Sequence, residues 1–220
     1  WSEVHAQLHP ALVGLSERLG LDDLLVIRAD TEEVVYSRKK APDFATSLEV
    51  GPYSGTLLAQ AVGAVVTTAQ SGSVVLTDFS SYAPDQGRPA AFAVSPVFEG
   101  NEVAAVLAAK VSLDEINRIM TANGRWTDAG FGATAETFLV GQDGRMRSVA
   151  RAFVEDPEAY LDTVGEAETA TAQELQAMEA AGTTVVFQEV ANPEELAEAT
   201  AAEGLTDLTS YQGQEDFAAY

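Results

Sequence analysis

Acidic, basic and aromatic side chains gather in two loops of the first half of the chain, and these side chains could bind a small molecule. One loop follows Arg38-Lys39-Lys40, a basic cluster in a very acidic chain, and contains Asp43. The other runs over 80–89, directly after Asp78. Carboxylates accept hydrogen bonds from ammonium groups, and basic side chains bind carboxylates. We therefore predict a pocket between these loops for a small polar or carboxylate-bearing ligand.

The charged side chains of the two loops could divide the work of binding between them. Asp43 or Asp78 would accept hydrogen bonds from an ammonium group, while Arg38 or Lys40 would hold a carboxylate. The aromatic neighbours that would form the walls are Tyr36, Phe44, Tyr53, Phe79 and Tyr82. The alternative interpretation of the basic cluster is the solvated end of a strand.

Patterns typical of catalysis or metal binding are weak. His5 and His9, the only histidines, have a metal-compatible spacing, but a packing or surface role fits them better. Without cysteine or further histidine, the sequence disfavours Ser-His-Asp and Cys-His chemistry, while a hydrolase using paired carboxylates stays an alternative. The stretch 130–135 spells a dinucleotide-binding turn but precedes a predicted strand, so we interpret it as a loop. We predict no catalytic residue, no metal and no cofactor.

The composition is that of an acidic globular protein. With 220 residues, 46% of them hydrophobic, the chain can bury a packed core. Its net charge of -22 would repel nucleic acids and anionic lipids, so we expect no nucleic-acid partner. There is no apolar run of about 18 residues. Because the chain starts at Trp1 and stops in a strand-like segment, we expect part of a longer protein, with any membrane segments outside it.

The pattern of apolar residues predicts a first unit of helices and strands. Its elements are a helix over 4–19, a hairpin of 24–28 and 34–38, a helix capped by Ser54, and strands over 74–79, 90–98 and 103–111. The last three strands would form a buried antiparallel sheet. Glu99-Gly100-Asn101-Glu102 would close a tight hairpin, because Gly and Asn tolerate positive φ.

A similar pattern begins again after residue 122. Its elements are a hairpin of 136–140 and 145–149, a helix capped by Thr171 and Glu174, a strand over 183–188, a helix over 192–204 and a hairpin near the end. The predicted fold class is α/β (α+β). A long N-terminal helix (1–22) precedes two tandem antiparallel-sheet units (23–122 and 123–220), the second lacking its last strands.

Several short motifs follow one another in an order typical of one family. They are His9-Pro10, VYS at 35–37, DFATSL at 43–48, GPY at 51–53, TDF at 77–79 with Tyr82 to Pro84, SPV at 95–97, GFGATAETFLVGQDGRMRSVAR at 130–151, YQG at 211–213 and AAY at 218–220. With these motifs the whole chain resembles the double Cache (tandem PAS-like) sensor domain. That domain occurs on bacterial transmembrane adenylate/guanylate cyclases, histidine kinases and chemoreceptors.

The resemblance implies the extracytoplasmic, small-molecule sensing part of a cell membrane receptor, with no enzymatic activity of its own. Its ligand would lie in the first, membrane-distal unit, and the residues that match by position are Tyr36, Arg38, Asp78, Tyr82, Phe92 and Ser95. Arg147, Ser148 and Arg151 would be structural. We also expect a homodimer through the N-terminal helix. The alternative function is a free or anchored solute-binding module without signalling output.

Overall fold

A five-stranded antiparallel sheet organises the first part of the chain. The computed structural model describes residues 2–68, 70–132, 135–190, 205–213 and 215–219. The chain divides into two compact units, Trp1–Leu113 and Asp114–Tyr220. An N-terminal helix followed by antiparallel sheet and further helices confirms the predicted mixed fold class.

The sheet of the first unit is built from strands that are distant in sequence. The strands are β1 (Asp23–Arg28), β2 (Val34–Ser37), β3 (Val75–Leu76), β4 (Ser80–Ser81), β5 (Pro89–Ala90), β6 (Phe92–Glu99) and β7 (Glu102–Lys110). The order in the main sheet is β2-β1-β7-β6-β3, while β4 and β5 pair with each other. Glu99 pairs with Glu102, and Gly100 has φ 65°, so the predicted tight hairpin between β6 and β7 is confirmed.

One face of this sheet carries the core of the first unit. Helix α2 (Leu57–Thr68) packs Leu58, Val62 and Val65 against Phe92 and Val94 of the sheet, and all five side chains are buried. Thr56 rather than the predicted Ser54 caps the helix, since its hydroxyl accepts a hydrogen bond from the Ala59 N–H at 3.2 Å.

Helix α1 (Ser2–Arg18) is the predicted N-terminal helix. It contacts the face of the sheet that lies opposite the core. Val35 is an extra residue in β2 where the register with β1 shifts, so Tyr36, opposite Val26, points to this face while Val34, opposite Ile27, points into the core. The helix ends at Gly20, whose φ of 63° allows the Leu21 N–H to donate to the Ser16 carbonyl. The predicted apolar stripe is only partly covered: Leu12 and Leu15 are half-buried, whereas Val4, Leu8 and Leu19 are exposed.

The predicted buried strand over 74–79 is wrong in length and in burial. Only Val75 and Leu76 pair with β6, at the edge of the sheet. Val74 and Leu76 are exposed, because the edge of the sheet is not covered by other elements at these side chains.

Helices dominate the described part of the second unit. Its elements, with the helix that leads into it, are α3 (Leu113–Met120), α4 (Arg151–Glu155), α5 (Pro157–Glu166), α6 (Ala172–Ala181), β8 (Leu205–Thr209) and β9 (Glu215–Ala219). The capping box of α6 is present in full, with Thr171 and Glu174 each bonding the other's backbone N–H. Strands β8 and β9 pair antiparallel, which confirms a hairpin near the end of the chain. No helix among the described residues is long and apolar enough to cross a membrane.

Two predicted strand regions of the second unit are different in the structure. The stretch 183–188 forms a turn instead of a strand, with Val186 at φ 63° and its N–H bonded to the Met146 carbonyl at 2.9 Å. The hairpin predicted over 136–149 is reduced to an isolated bridge between Val140 and Met146. The helix predicted over 192–204 lies outside the described residues.

Arg147, Ser148 and Arg151 make structural hydrogen bonds, as the sequence predicted. Arg147 bonds the Asp143 carboxylate at 2.9 Å, and the Ser148 hydroxyl accepts from the Leu139 N–H at 2.9 Å. Arg151 donates to the carbonyls of Gly132 and Ala135, both at 2.9 Å. These bonds fix loops of the second unit that have little regular secondary structure.

Candidate functional site

Polar side chains meet at one end of the core face of the first unit. Lys110, the last residue of β7, pairs with Asp23 of β1 on one side and with Phe92 of β6 on the other. Directly opposed residues of antiparallel strands project to the same face, so these three side chains form a row at the end of the sheet. The row places two buried charged groups next to a fully buried aromatic ring.

Asp43 and Tyr82 come from the two predicted ligand loops and meet beside this row. The Tyr82 hydroxyl donates to Asp43 Oδ2 at 2.6 Å, and the Tyr82 ring meets Phe92 edge-on with a centroid separation of 5.1 Å. Asp43 is only 2% exposed. Its second oxygen, Oδ1, is buried and accepts no hydrogen bond from any residue that the structure describes. Asp43 therefore has one oxygen satisfied and one in need of a donor.

Burial controls the protonation of this pair. Removal of the Asp43 carboxyl from water raises its pKa, and the hydrogen bond from Tyr82 offsets only part of that rise. Burial and the neighbouring Asp43 also raise the pKa of Tyr82, which keeps its hydroxyl as the donor. A cationic hydrogen-bond donor at Oδ1 would stabilise the charged form of Asp43.

Asp23 is equally buried but has a structural role. Its Oδ1 accepts from the N–H groups of Leu24 at 2.7 Å and Lys39 at 3.2 Å. Its Oδ2 accepts from the Ser37 hydroxyl at 2.9 Å. With both oxygens satisfied, Asp23 holds the start of β1 against the end of β2 and needs no ligand.

The buried cation beside Asp23 is already neutralised. The Lys110 ammonium lies 2.8 Å from Asp22 Oδ2 and also pairs with Asp85. Burial lowers the pKa of Lys110, but hydrogen bonds to the two carboxylates outweigh it, so the pKa lies above its usual value. Lys110 is therefore charged and is not available to hold a ligand carboxylate.

Two predicted ligand residues, Tyr36 and Arg38, lie on the other face of the sheet. The Tyr36 hydroxyl is 3.0 Å from His9 Nδ1, and the rings of His5 and His9 stack at 4.6 Å. Arg38 donates to the Ser16 hydroxyl at 2.9 Å. These contacts fix α1 on the sheet, and the structure does not bring either side chain to Asp43. Among the described residues no group of three or more His, Asp or Glu is arranged to hold a metal ion.

The remaining predicted site residues are divided between the core and the surface. Tyr53 packs against the core cluster that contains Tyr82 and Phe92. Asp78 is exposed and accepts from the N–H of the half-buried Phe79 at 2.7 Å. Ser95 donates to the Ser73 carbonyl at 3.0 Å and alternates with the core residues of β6. Asp43, Tyr53, Tyr82 and Phe92 thus share one core, and the other predicted residues do not join it.

Asp23, Lys110, Asp43 and Tyr82 form a polar cluster at this end of the sheet. Asp23 and Lys110 were not predicted as part of the site. A sequence signal exists for both. Lys110 is a charged residue near the end of a nine-residue apolar stretch, and Asp23 directly precedes four apolar residues of β1. Charged side chains that a strand carries into a core are normally paired, so each predicts a buried partner.

Beside Asp43, the chain also lines a groove of about 270 Å³. Its walls are formed by Glu33, Val34, Val35, Phe44 and Ala45. The groove begins at the residue that follows Asp43 and runs along the edge strand β2.

Comparisons with known proteins find sensor domains among the structural neighbours. The extracellular domain of mmHK1S-Z2, described as a histidine kinase, is 14% identical over 98% of this chain and 75% of that one, with a TM-score of 0.45. The ligand-binding domain of the Pseudomonas fluorescens chemoreceptor CtaA was matched in complexes with L-serine and L-valine. The L-serine complex is 19% identical over 65% of this chain and 55% of that one (TM-score 0.38). The L-valine complex is 18% identical over 58% and 49% (TM-score 0.37).

These likenesses are distant. The chain spans about half the length of the CtaA domain, by the shares of 49% and 55% that it covers. No family model matches the sequence, and no curated protein matches it. At these identities and TM-scores the neighbours establish neither a family nor a ligand for this chain.

Proposed function

We propose that the chain is the extracytoplasmic sensing domain of a transmembrane receptor and that its first unit binds a small solute with an ammonium group. The observation that supports this most is the buried Asp43 carboxylate, with Tyr82 on one oxygen and no described donor on the other. An unsatisfied buried acceptor costs about 1–3 kcal/mol, and more for a charged group. A site that keeps this cost without a ligand is organised to recover it when a donor binds.

The surroundings of Asp43 favour a cation with an apolar body. Phe92 and Tyr82 supply aromatic surface next to the carboxylate, and aromatic faces attract cations. Lys110 is engaged by two carboxylates, and Arg38 lies on the far face of the sheet. The polar cluster thus offers an acceptor for an ammonium group, whereas the bases predicted to hold a carboxylate are engaged elsewhere or exposed.

The proposed mechanism is a shift between two arrangements of the first unit. An ammonium group at Asp43 Oδ1 would favour the arrangement in which Tyr82, Phe92 and Asp43 are closed around it, in proportion to its higher affinity for that arrangement. The change would pass to membrane segments outside this sequence. The double Cache class, the boundaries 1–22, 23–122 and 123–220, the α1 homodimer and a cyclase, histidine kinase or chemoreceptor output are parts of this proposal that rest on the sequence motifs.

Calorimetry and thermal unfolding test the proposal with a panel of small amines, amino acids and carboxylic acids. We expect an amine to bind and to stabilise the chain by about 2.7 kcal/mol at a hundred times its dissociation constant. Asp43→Asn should abolish binding, because the replacement amide presents no charge to the ammonium group.

Asp78→Asn is the matched control, since it makes the same chemical change in the exposed acid of the other predicted loop. It should bind as the wild type does. Equal binding by Asp43→Asn and wild type, or no binding by any compound of the panel, would contradict the proposal.

A further inference from the structure

Lys110 forms ion pairs with two separate segments of the first unit, and no other ion pair among the described residues joins those segments. Its ammonium is 2.8 Å from Asp22 Oδ2, in the connection between α1 and β1, and it also pairs with Asp85 in the loop that carries Tyr82. The Lys110 side chain is 8% exposed, against 30% for Asp22 and 37% for Asp85. A buried cation with partners on two separate segments is a link between them.

On one side the link is tied to the proposed ligand site. Asp85 ends a single 3-10 turn that starts directly after Tyr82. The Asp85 N–H donates to the Tyr82 carbonyl at 2.9 Å, and the Tyr82 N–H donates to the Arg88 carbonyl at 3.1 Å. These bonds close the loop on itself, so a displacement of the Tyr82 ring also displaces the Asp85 carboxylate.

On the other side the link is tied to the end of α1. The Asp22 N–H donates to the Lys110 carbonyl at 3.0 Å, and the Leu21 N–H donates to the Ser16 carbonyl in the last turn of the helix at 2.9 Å. Burial raises the pKa of the Asp22 carboxyl, but hydrogen bonds from Lys110 and Lys39 outweigh it, so the pKa lies below its usual value. Asp22 is therefore a charged partner, held against both Lys110 and α1.

We propose that Lys110 couples occupancy of the Asp43–Tyr82 site to the last turn of α1, by sharing its ammonium between Asp85 and Asp22. When Tyr82 moves, the Lys110–Asp85 contact changes, and the hold of Lys110 on Asp22 changes with it. Because β7 pairs with both β1 and β6, the Lys110 backbone stays fixed while its side chain responds. This inference rests on the proposed function and adds the route by which the site affects the helix.

Amide hydrogen exchange at residues 12–22 tests the coupling without any ligand. Tyr82→Phe perturbs the site, and its effect is compared in wild-type and Lys110→Met backgrounds. We expect Tyr82→Phe alone to speed exchange in this segment by a factor of roughly 5 to 30. In the Lys110→Met background the same substitution should add nothing beyond the change that it causes at core amides of β6 and β7, because the link is already broken. Lys110→Arg should restore the effect.

Lys39→Met is the matched control, because Lys39 also pairs with Asp22 but has no described contact with Asp85. The effect of Tyr82→Phe should persist in that background. Asp85→Asn provides a second way to break the link from a half-exposed position, should Lys110→Met fail to fold. An effect of Tyr82→Phe that is equally large with Lys110→Met or Asp85→Asn would overturn the coupling. Failure of every amine to bind in calorimetry would overturn the proposed function instead, so the two failures can be told apart.

Discussion

Tyr82→Phe is the substitution that tests the Asp43 site most directly. It deletes one hydroxyl and keeps the ring, which still meets Phe92 edge-on at 5.1 Å. The side chain therefore keeps its apolar surface, although its bond to Asp43 no longer fixes the position of the ring. What is lost is the 2.6 Å hydrogen bond to Asp43 Oδ2, after which neither oxygen of the buried carboxylate has a described side-chain donor.

The magnitude follows from the charge on Asp43. A hydrogen bond to a charged group contributes about 1.5–3 kcal/mol, and one between neutral groups about 0.5–1.5 kcal/mol. Above the pKa of Asp43 we expect Tyr82→Phe to lower the free energy of unfolding by about 2 kcal/mol, roughly a 30-fold change in the unfolding equilibrium. Below that pKa Asp43 is protonated, and the loss should shrink to about 1 kcal/mol.

Urea denaturation followed by circular dichroism, repeated between pH 4 and pH 8, measures both values. Tyr53→Phe is the matched control, because Tyr53 packs against the same core and its hydroxyl makes no hydrogen bond to a described residue. That control should stay within about 0.5 kcal/mol of the wild type. A Tyr82→Phe loss as small as that of the control, or one that does not change with pH, would refute the account of a charged, underbonded Asp43.

Three further predictions concern other contacts of the chain. Burial raises the pKa of Asp43 above its ordinary value of 3.8. At pH values above 3.8 the folded chain therefore binds more protons than the unfolded chain, and the free energy of unfolding falls as the pH rises. Asp43→Asn should flatten that fall in urea denaturation. Gly141→Ala would place a Cβ 2.2 Å from Arg147 Nη2 and should cost about 1–3 kcal/mol in thermal unfolding. Arg151→Met loses two carbonyl hydrogen bonds and its position 4.8 Å over the Trp126 ring, for a loss of about 1–3 kcal/mol by urea denaturation.

Each of these predictions has a control that makes the same change at a more exposed or less crowded position. Asp78→Asn is the control for Asp43→Asn, because it makes the same chemical change at an exposed acid. Gly55→Ala should be tolerated, since a Cβ there meets nothing within 4 Å. Arg118→Met removes an exposed pair with Glu115 and should cost less than about 1 kcal/mol. Losses as large in the controls as in the test variants would contradict the structural explanation.

Local signals predicted the elements whose stability is local. The β6–β7 hairpin follows from a Gly-Asn turn between two apolar runs, and α6 from a capping box at Thr171. The two loops that carry Asp43 and Tyr82 were singled out because each combines acidic, basic and aromatic residues. In each case a few neighbouring residues carry the information.

The face on which a strand residue lies could not be predicted in the same way. Tyr36 and Phe92 were expected in one pocket but lie on opposite faces of the sheet. Their orientation depends on pairing across the sheet, including a register shift between Val26 and Ile27, where Val35 is an extra residue in β2. A shift of one residue exchanges the two faces of a strand, and nothing in the local sequence fixes it.

Tertiary contacts also override local preference in the second unit. The stretch 183–188 has the β-branched and aromatic residues of a strand, yet Thr184 and Val185 are fully buried in a turn. The Thr184 hydroxyl accepts from the Ala150 N–H at 3.0 Å. β-propensity reflects how well a side chain packs on a pleated surface, and a buried turn can offer comparable packing.

The raised pKa of Asp43 has a consequence for the heat that a calorimeter records. Where the raised pKa leaves a proton on Asp43, an ammonium group that takes the vacant acceptor would displace it, and part of the measured enthalpy would come from the buffer that absorbs that proton. Titrations in two buffers with different ionisation enthalpies would then disagree. Under the proposed function, an acid medium would weaken binding without any competing molecule, because a protonated Asp43 presents no charge to the ammonium group.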